Sequence, residues 1–271
     1  MFRPTFESLG TYQCPDWYRD AKFGIWSHWG PQSVPMCGDW YARNIYRQGE
    51  PQYLEHMRRY GHPSVFGYKD IVKLWKAERF HPEELMDLFK RSGARFFMGM
   101  AMHHDHFFLY PSKLNPMNAM NVGPLRDIAG LWRDAARNAG LPFGLSEHLG
   151  ASFTWWNYNK GCDTYGPYAG VPYDGNDPEW RDFYLDNREH VTFRDDGVVE
   201  KYAWYTKNKQ FHDYWLAVFC EFVDLYQPEL VYTDGGIPFG LRSGSELPGT
   251  VGLGHDDRDY QNGGKAAAYL G

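Results

Sequence analysis

Three times along this chain, a segment with helical apolar spacing runs into a segment of strand character. This repetition constrains the fold more than any other feature. Pro82-Glu83-Glu84-Leu85-Met86-Asp87-Leu88-Phe89 opens with a proline and two acids, stops before Gly93 and leads into residues 95–102. Asp127 stands as an N-cap before residues 128–138, with Gly140 as the stop and residues 142–148 beyond. Residues 211–225 break before Pro228 and lead into Leu230-Val231-Tyr232-Thr233-Asp234. A fourth strand-like segment, residues 22–30, precedes them all. Helix then strand, repeated, predicts parallel strands: an α/β fold of the (β/α) TIM-barrel-like type, here an incomplete or partial barrel.

The polar residues gather at the C-terminal ends of these strands: His28, His103 and His104, Glu147 and His148, and Asp234. That end of a (β/α) barrel is where catalytic groups sit. Asp234 closes an apolar run and precedes Gly235-Gly236, where the backbone must turn sharply. It reads either as a carboxylate delivered to an active site or as a turn or N-cap residue. On an extended segment His103 and His104 point to opposite sides, so one of them is a candidate core residue. The long joins at residues 31–68 and 149–209 suit active-site loops. They hold Asp39-Trp40-Tyr41 and Phe153-Thr154-Trp155-Trp156, aromatic enough to wall a sugar pocket. Aromatic residues make up 18% of the chain; such rings pack cores and also stack on the C–H faces of sugars.

A net charge of −6 argues against a nucleic-acid partner, which needs a basic footprint. No run of 18 apolar residues exists, so no membrane span is expected. The N-terminal stretch lacks the apolar segment of a signal peptide, and Cys14, Cys37, Cys162 and Cys220 form no CxxC pair. Free thiols favour a reducing, cytoplasmic compartment; removal of a signal would instead make the chain periplasmic or secreted. His28, His103, His104 and Asp234 could form a His/carboxylate metal site. Without H-x-H, HExxH or compact ligand spacing, the expectation is no metal and no cofactor. No repeat or linker divides residues 1–271, so a single catalytic domain is expected.

At these residues the sequence resembles the α-L-fucosidases of glycoside hydrolase family 29. The matching pieces run in order over nearly the whole chain. They include Trp17-Tyr18-Arg19-Asp20-Ala21-Lys22-Phe23-Gly24-Ile25, Ser27-His28-Trp29-Gly30, Gly38-Asp39-Trp40-Tyr41, His103-His104-Asp105 and Tyr232-Thr233-Asp234-Gly235-Gly236. The resemblance implies a retaining, exo-acting α-L-fucosidase that cleaves terminal α-L-fucosyl linkages of fucosylated glycans or aryl fucosides. It implies that Asp234 is the nucleophile forming a covalent fucosyl-enzyme intermediate. His28, His103 and His104 resemble the histidines that bind fucose hydroxyls, and Trp40 a tryptophan that contacts the sugar. Asp39 stands where the family more often has Glu, and Tyr232 takes a position that can be Trp. Glu147 and His148 occupy a strand end that commonly carries Tyr.

The family's general acid/base is usually a glutamate tens of residues past the nucleophile. Here 37 residues follow Asp234, and they hold one glutamate, Glu246, close to the nucleophile. Glu147 is therefore the in-chain candidate for the acid/base, and a weakly active or purely fucose-binding chain is the alternative. Four strands cannot close an eight-stranded barrel, so the C-terminal strands of a complete barrel are expected to be missing. Open edges then lead to the expectation of a homo-oligomer that covers them.

Overall fold

The computed structural model describes residues 2–191, 206 and 208–234. Four strands form one parallel sheet in sequence order: β1 (Gly24–Trp26), β2 (Phe96–Met102), β3 (Phe143–Glu147) and β4 (Leu230–Thr233). Each of the four expected strand segments contains one of them. The parallel connections are made by helices α1 (Pro82–Arg91), α2 (Ile128–Asn138) and α3 (Lys209–Tyr226), the three read from apolar spacing. The architecture is a partial (β/α) barrel.

Register decides which side chains face inward. Pairing sets Gly24 beside Phe96, Met98 beside Gly144, and Gly144 beside Leu230. A Cβ on Gly24 would run into the Phe96 ring, and one on Gly144 would lie 3.0 Å from the Leu230 carbonyl oxygen and 3.3 Å from Met98 Cγ. These residues therefore share the inner face. Two residues further along each strand, Trp26, Ser146 and Tyr232 share it too, with the Trp26 indole N–H donating to Ser146 Oγ (3.1 Å). The other face carries Phe97 and Phe143, where Phe97 meets Trp132 of α2 at 4.7 Å between ring centres. Trp132 in turn contacts Phe80 and Phe89, so aromatic packing seals the sheet to its helices.

The join at residues 31–68 holds helices Tyr41–Asn44 and Pro51–Arg59, with buried Tyr41, Tyr53 and His56 packed into the core. Trp29 turns away from the strand ends and packs on Trp75 and Phe80. Among the described residues no helix is long and apolar enough to cross a membrane.

Asp127 performs the capping role read from the sequence. Its carboxylate accepts from the Gly130 N–H (2.8 Å) and also from the Tyr226 hydroxyl of α3 (2.8 Å). It thus caps one crossover helix and ties it to the next. Asp127→Ala is expected to cost roughly 2 kcal/mol, for a lost cap and a lost buried hydrogen bond. Asp127→Asn should recover most of that loss in a urea unfolding curve.

Candidate active site

The ladder delivers its polar residues to one end. Beyond β1 the pairing continues through the Ser27 N–H, which donates to the Met98 carbonyl (2.8 Å) and carries His28 inward. Beyond β4 the Asp234 N–H donates to the Glu147 carbonyl (2.9 Å), so the Asp234 backbone is held by the sheet itself. Between Met100 and Met102 the β2–β3 register shifts by one residue. Such a bulge re-aims the end of a strand. As a result His103 and His104 both reach the site, with ring centres 4.9 Å apart, although both are buried. The expectation that they diverge fails because the chain turns straight after Met102.

Two carboxylates organise the imidazoles. Asp39 Oδ1 lies 2.9 Å from His28 Nε2 and 3.5 Å from His103 Nε2. Burial opposes ionisation of Asp39, but the two histidines outweigh it and hold its pKa well below the usual carboxylate range. Burial likewise works against a charged His28, yet the Asp39 hydrogen bond and nearby carboxylates raise its pKa. Asp234 Oδ2 lies 3.1 Å from His148 Nδ1 and 3.6 Å from His104 Nε2. Those imidazoles hold the Asp234 carboxyl well below its ordinary range, so it is ionised at neutral pH. Burial pushes His148 down to about 4 and His103 to about 3.

Aromatic rings wall the cluster. Trp26 stands edge-on to His28 and to Tyr232, each 5.3 Å away between ring centres. Trp155 lies 4.8 Å from the His104 ring and 5.2 Å from Trp40, and the Arg43 guanidinium sits over both tryptophans. Trp26, Trp40 and Tyr232 are exposed, and the Tyr232 hydroxyl is 3.5 Å from Asp234 Oδ1. Of the aromatic run at residues 153–156, Trp155 alone contacts the histidines. Trp156 packs on Tyr46, Tyr68 and Tyr184, and Phe153 on Phe211. Trp26 and Ser146 were not singled out in the sequence. Period-two alternation from His28 and His148 points to both.

Glu147 does not join the cluster. It alternates with Ser146 and His148 and so lies on the helix-facing side of β3, fully buried. Its Oε2 accepts from the Leu149 N–H (2.8 Å). Burial raises its pKa to about 7, against the pull of that N–H. A proton donor must reach the departing oxygen, and this carboxyl points out of the barrel instead. The structure thus sets Glu147, the in-chain acid/base candidate, apart from the imidazoles and carboxylates of the cluster. Glu246 lies outside the described residues.

The donor sets that metals use are also present. His28, His103 and His148 form one trio, and His104, His148 and Asp234 another; each has its ligand atoms within 4.8 Å of one another. Sequence spacing gave no sign of this, because the ligands come from β1, β2, β3 and β4.

A parallel α/β sheet with ionised carboxylates, imidazoles and tryptophans at its C-terminal strand ends has the layout of the functional face of a (β/α) barrel. The alpha-L-fucosidase family profile matches residues 1–248, and the chain belongs to that family. Human tissue alpha-L-fucosidase is 37% identical over 150 residues, which cover 55% of this chain and 32% of that protein. An alpha-L-fucosidase of Branchiostoma floridae is 29% identical over 237 residues, covering 86% of this chain and 44% of the relative. The crystal structure of Thermotoga maritima alpha-fucosidase in complex with a mechanism based inhibitor superposes with a TM-score of 0.70 at 27% identity. That match covers 100% of this chain and 53% of the other. The chain thus spans about half the length of that structure, and the match to the human relative covers about a third of it.

A structural Glu147 has a measurable signature. Glu147→Ala leaves the Leu149 N–H without its acceptor and opens a cavity, at a cost of roughly 3 kcal/mol. Glu147→Gln retains an acceptor and should unfold within about 1 kcal/mol of the parent, as read by thermal and urea denaturation.

Proposed function

We propose that this chain is a retaining, exo-acting α-L-fucosidase with Asp234 as nucleophile. The observation that carries the reading is the ionised Asp234 carboxylate at the end of β4, flanked by His104 and His148. Asp234 attacks the anomeric carbon of a terminal α-L-fucosyl unit. The bond to the leaving oxygen breaks as a fucosyl ester forms, and water then attacks that ester to release fucose with its configuration retained. His28, His103 and His104 grip sugar hydroxyls, with Asp39 fixing the first two rings. His148 steadies the nucleophile, while Trp40 and Tyr232 offer apolar faces to the sugar. The solved Thermotoga maritima alpha-fucosidase in complex with fucose, 26% identical with a TM-score of 0.68, supports fucose as the sugar.

Asp234→Gly should lower aryl-fucoside turnover by about three orders of magnitude or more, and azide should restore part of it by replacing the missing nucleophile. No turnover in the parent or in the azide-treated variant would point to a fucose-binding chain instead. Glu147→Gln should keep turnover within a few-fold of the parent.

Among the described residues the other carboxylate at the site is Asp39, and its ionised state bars it from donating a proton. Activated aryl fucosides need little acid assistance, so they should be cleaved at least tenfold faster than fucosylated glycans. Equal rates on both would mean that a full acid/base is in place.

Self-association into a homo-oligomer belongs to the same proposal. Among the described residues β1 and β4 each pair on one side only, with exposed Trp26 and Tyr232 on the face between them. A stable monomer by light scattering at micromolar concentration would overturn that part.

A further inference from the structure

The joins at residues 31–68 and 149–209 enclose a cleft of about 320 Å3. That volume lies within the range of about 300–1,000 Å3 typical of small-molecule sites. One wall comes from residues 46–50, the turn between helices Tyr41–Asn44 and Pro51–Arg59. The other comes from residues 158–165 together with Tyr173.

Hydrogen bonds across the two walls set the shape of the cleft. The Gln48 side-chain amide donates to the Tyr165 carbonyl (2.8 Å), and its Oε1 accepts from the Thr164 N–H (2.9 Å). Gly49 faces the Tyr165 hydroxyl so closely that a Cβ there would lie 3.5 Å from it. The buried Tyr46 hydroxyl bonds to that of Tyr184 (3.0 Å), and the buried Tyr173 hydroxyl donates to Asp163. Both hydroxyls are committed to the interior, so these two rings give the cleft carbon surface.

Polar groups of both kinds stand beside the rings. Arg47 and Glu50 form an ion pair (2.9 Å), each partner about one-third exposed at 35% and 33%. The pair offers N–H donors and a carboxylate acceptor side by side with no net charge. A sugar hydroxyl both donates and accepts, so neighbouring hydroxyls on one ring match such a pair. An anionic ligand would meet Glu50, and a cationic one Arg47; a neutral one avoids both penalties. Tyr165 is 63% exposed and presents a flat ring for the C–H face of a pyranose.

A single guanidinium joins the cleft to the strand-end site. Arg43 lies 4.8 Å from the centre of the Tyr158 ring in the cleft wall and 5.4 Å from that of Trp40. Arg47 lies over the same Tyr158 ring at 5.1 Å. Trp40 and the cleft are thus one side chain apart, within reach of a substrate longer than one sugar.

We propose that this cleft is a carbohydrate subsite holding neutral pyranose units of the glycan that carries the fucosyl group. Its place in the reaction rests on the fucosidase reading, because a fucosylated glycan is the substrate that would span both sites. It deepens that reading by making the glycan, and not fucose alone, a determinant of binding. The cleft lowers KM for oligosaccharides and leaves aryl fucosides, which lack those sugars, untouched.

NMR titration of the full chain with lactose, N-acetyllactosamine and chitobiose tests the cleft without turnover. At least one of these disaccharides is expected to bind saturably. Tyr165→Ala should weaken that binding about tenfold, and Tyr165→Phe by no more than about twofold, because the ring makes the contact. Asp234→Gly should leave it within about twofold, which separates the cleft from the strand-end site. Circular dichroism confirms that each variant is folded. In turnover, Tyr165→Ala should lower the ratio of kcat/KM on fucosyllactose to kcat/KM on an aryl fucoside about tenfold, through KM. Saturable binding of none of the three disaccharides, or binding that Tyr165→Ala leaves intact, would overturn the subsite even where aryl fucosides are cleaved. A ratio unmoved by Tyr165→Ala would overturn its place in the reaction. Disaccharide binding at Tyr165 by a chain that cleaves no aryl fucoside would instead sink the hydrolase reading and leave a glycan-binding cleft.

Discussion

Pleat and register across four parallel strands govern everything at the site. Every second side chain faces inward, and pairing lines up Trp26, Ser146 and Tyr232 just below the strand ends. The Ser146 hydroxyl then joins three strands at one atom, reaching Gly99 on β2 and Trp26 on β1 from its own place on β3. With that layer fixed, the next residues along each path can end only at the mouth of the partial barrel. His28, His148 and Asp234 meet there because the sheet leaves them nowhere else to go.

The electrostatics follow from the same layer. Each of the two carboxylates faces two imidazoles in a partly enclosed space, and each stays ionised because the histidines outweigh the cost of burial. His103 and His148 are buried deeply enough to favour their neutral forms at neutral pH. The result is a preorganised surface of fixed donors and acceptors around ionised oxygens. Tryptophans around the rim limit water access and offer flat faces beside the polar floor.

Much of this was legible in the sequence. The three crossover helices and their caps follow from local chemistry, such as the proline and acids opening α1 and the Asp127 carboxylate at the start of α2. Strand identity and the polar character of strand ends were equally visible, because parallel buried strands read as apolar runs. What sequence could not give was facing. Glu147 and His148 are neighbours, so one must point in and one out, and only the pairing of Gly144 with Leu230 settles which. The convergence of His103 and His104 depends on a register shift that leaves no mark in composition. Trp29 and Trp26 are alike as residue types, yet one belongs to the core and the other to the site. The metal-like trios were hidden for a further reason: their members lie on separate strands and meet only in the folded sheet.

The backbone hydrogen bond from Asp234 to the Glu147 carbonyl has a consequence for how such a chain can change over time. It ties the Asp234 backbone to β3, so the point from which that side chain starts is set by strand pairing. Substitutions around the strand ends can then alter the surroundings of this carboxylate while its backbone stays in place.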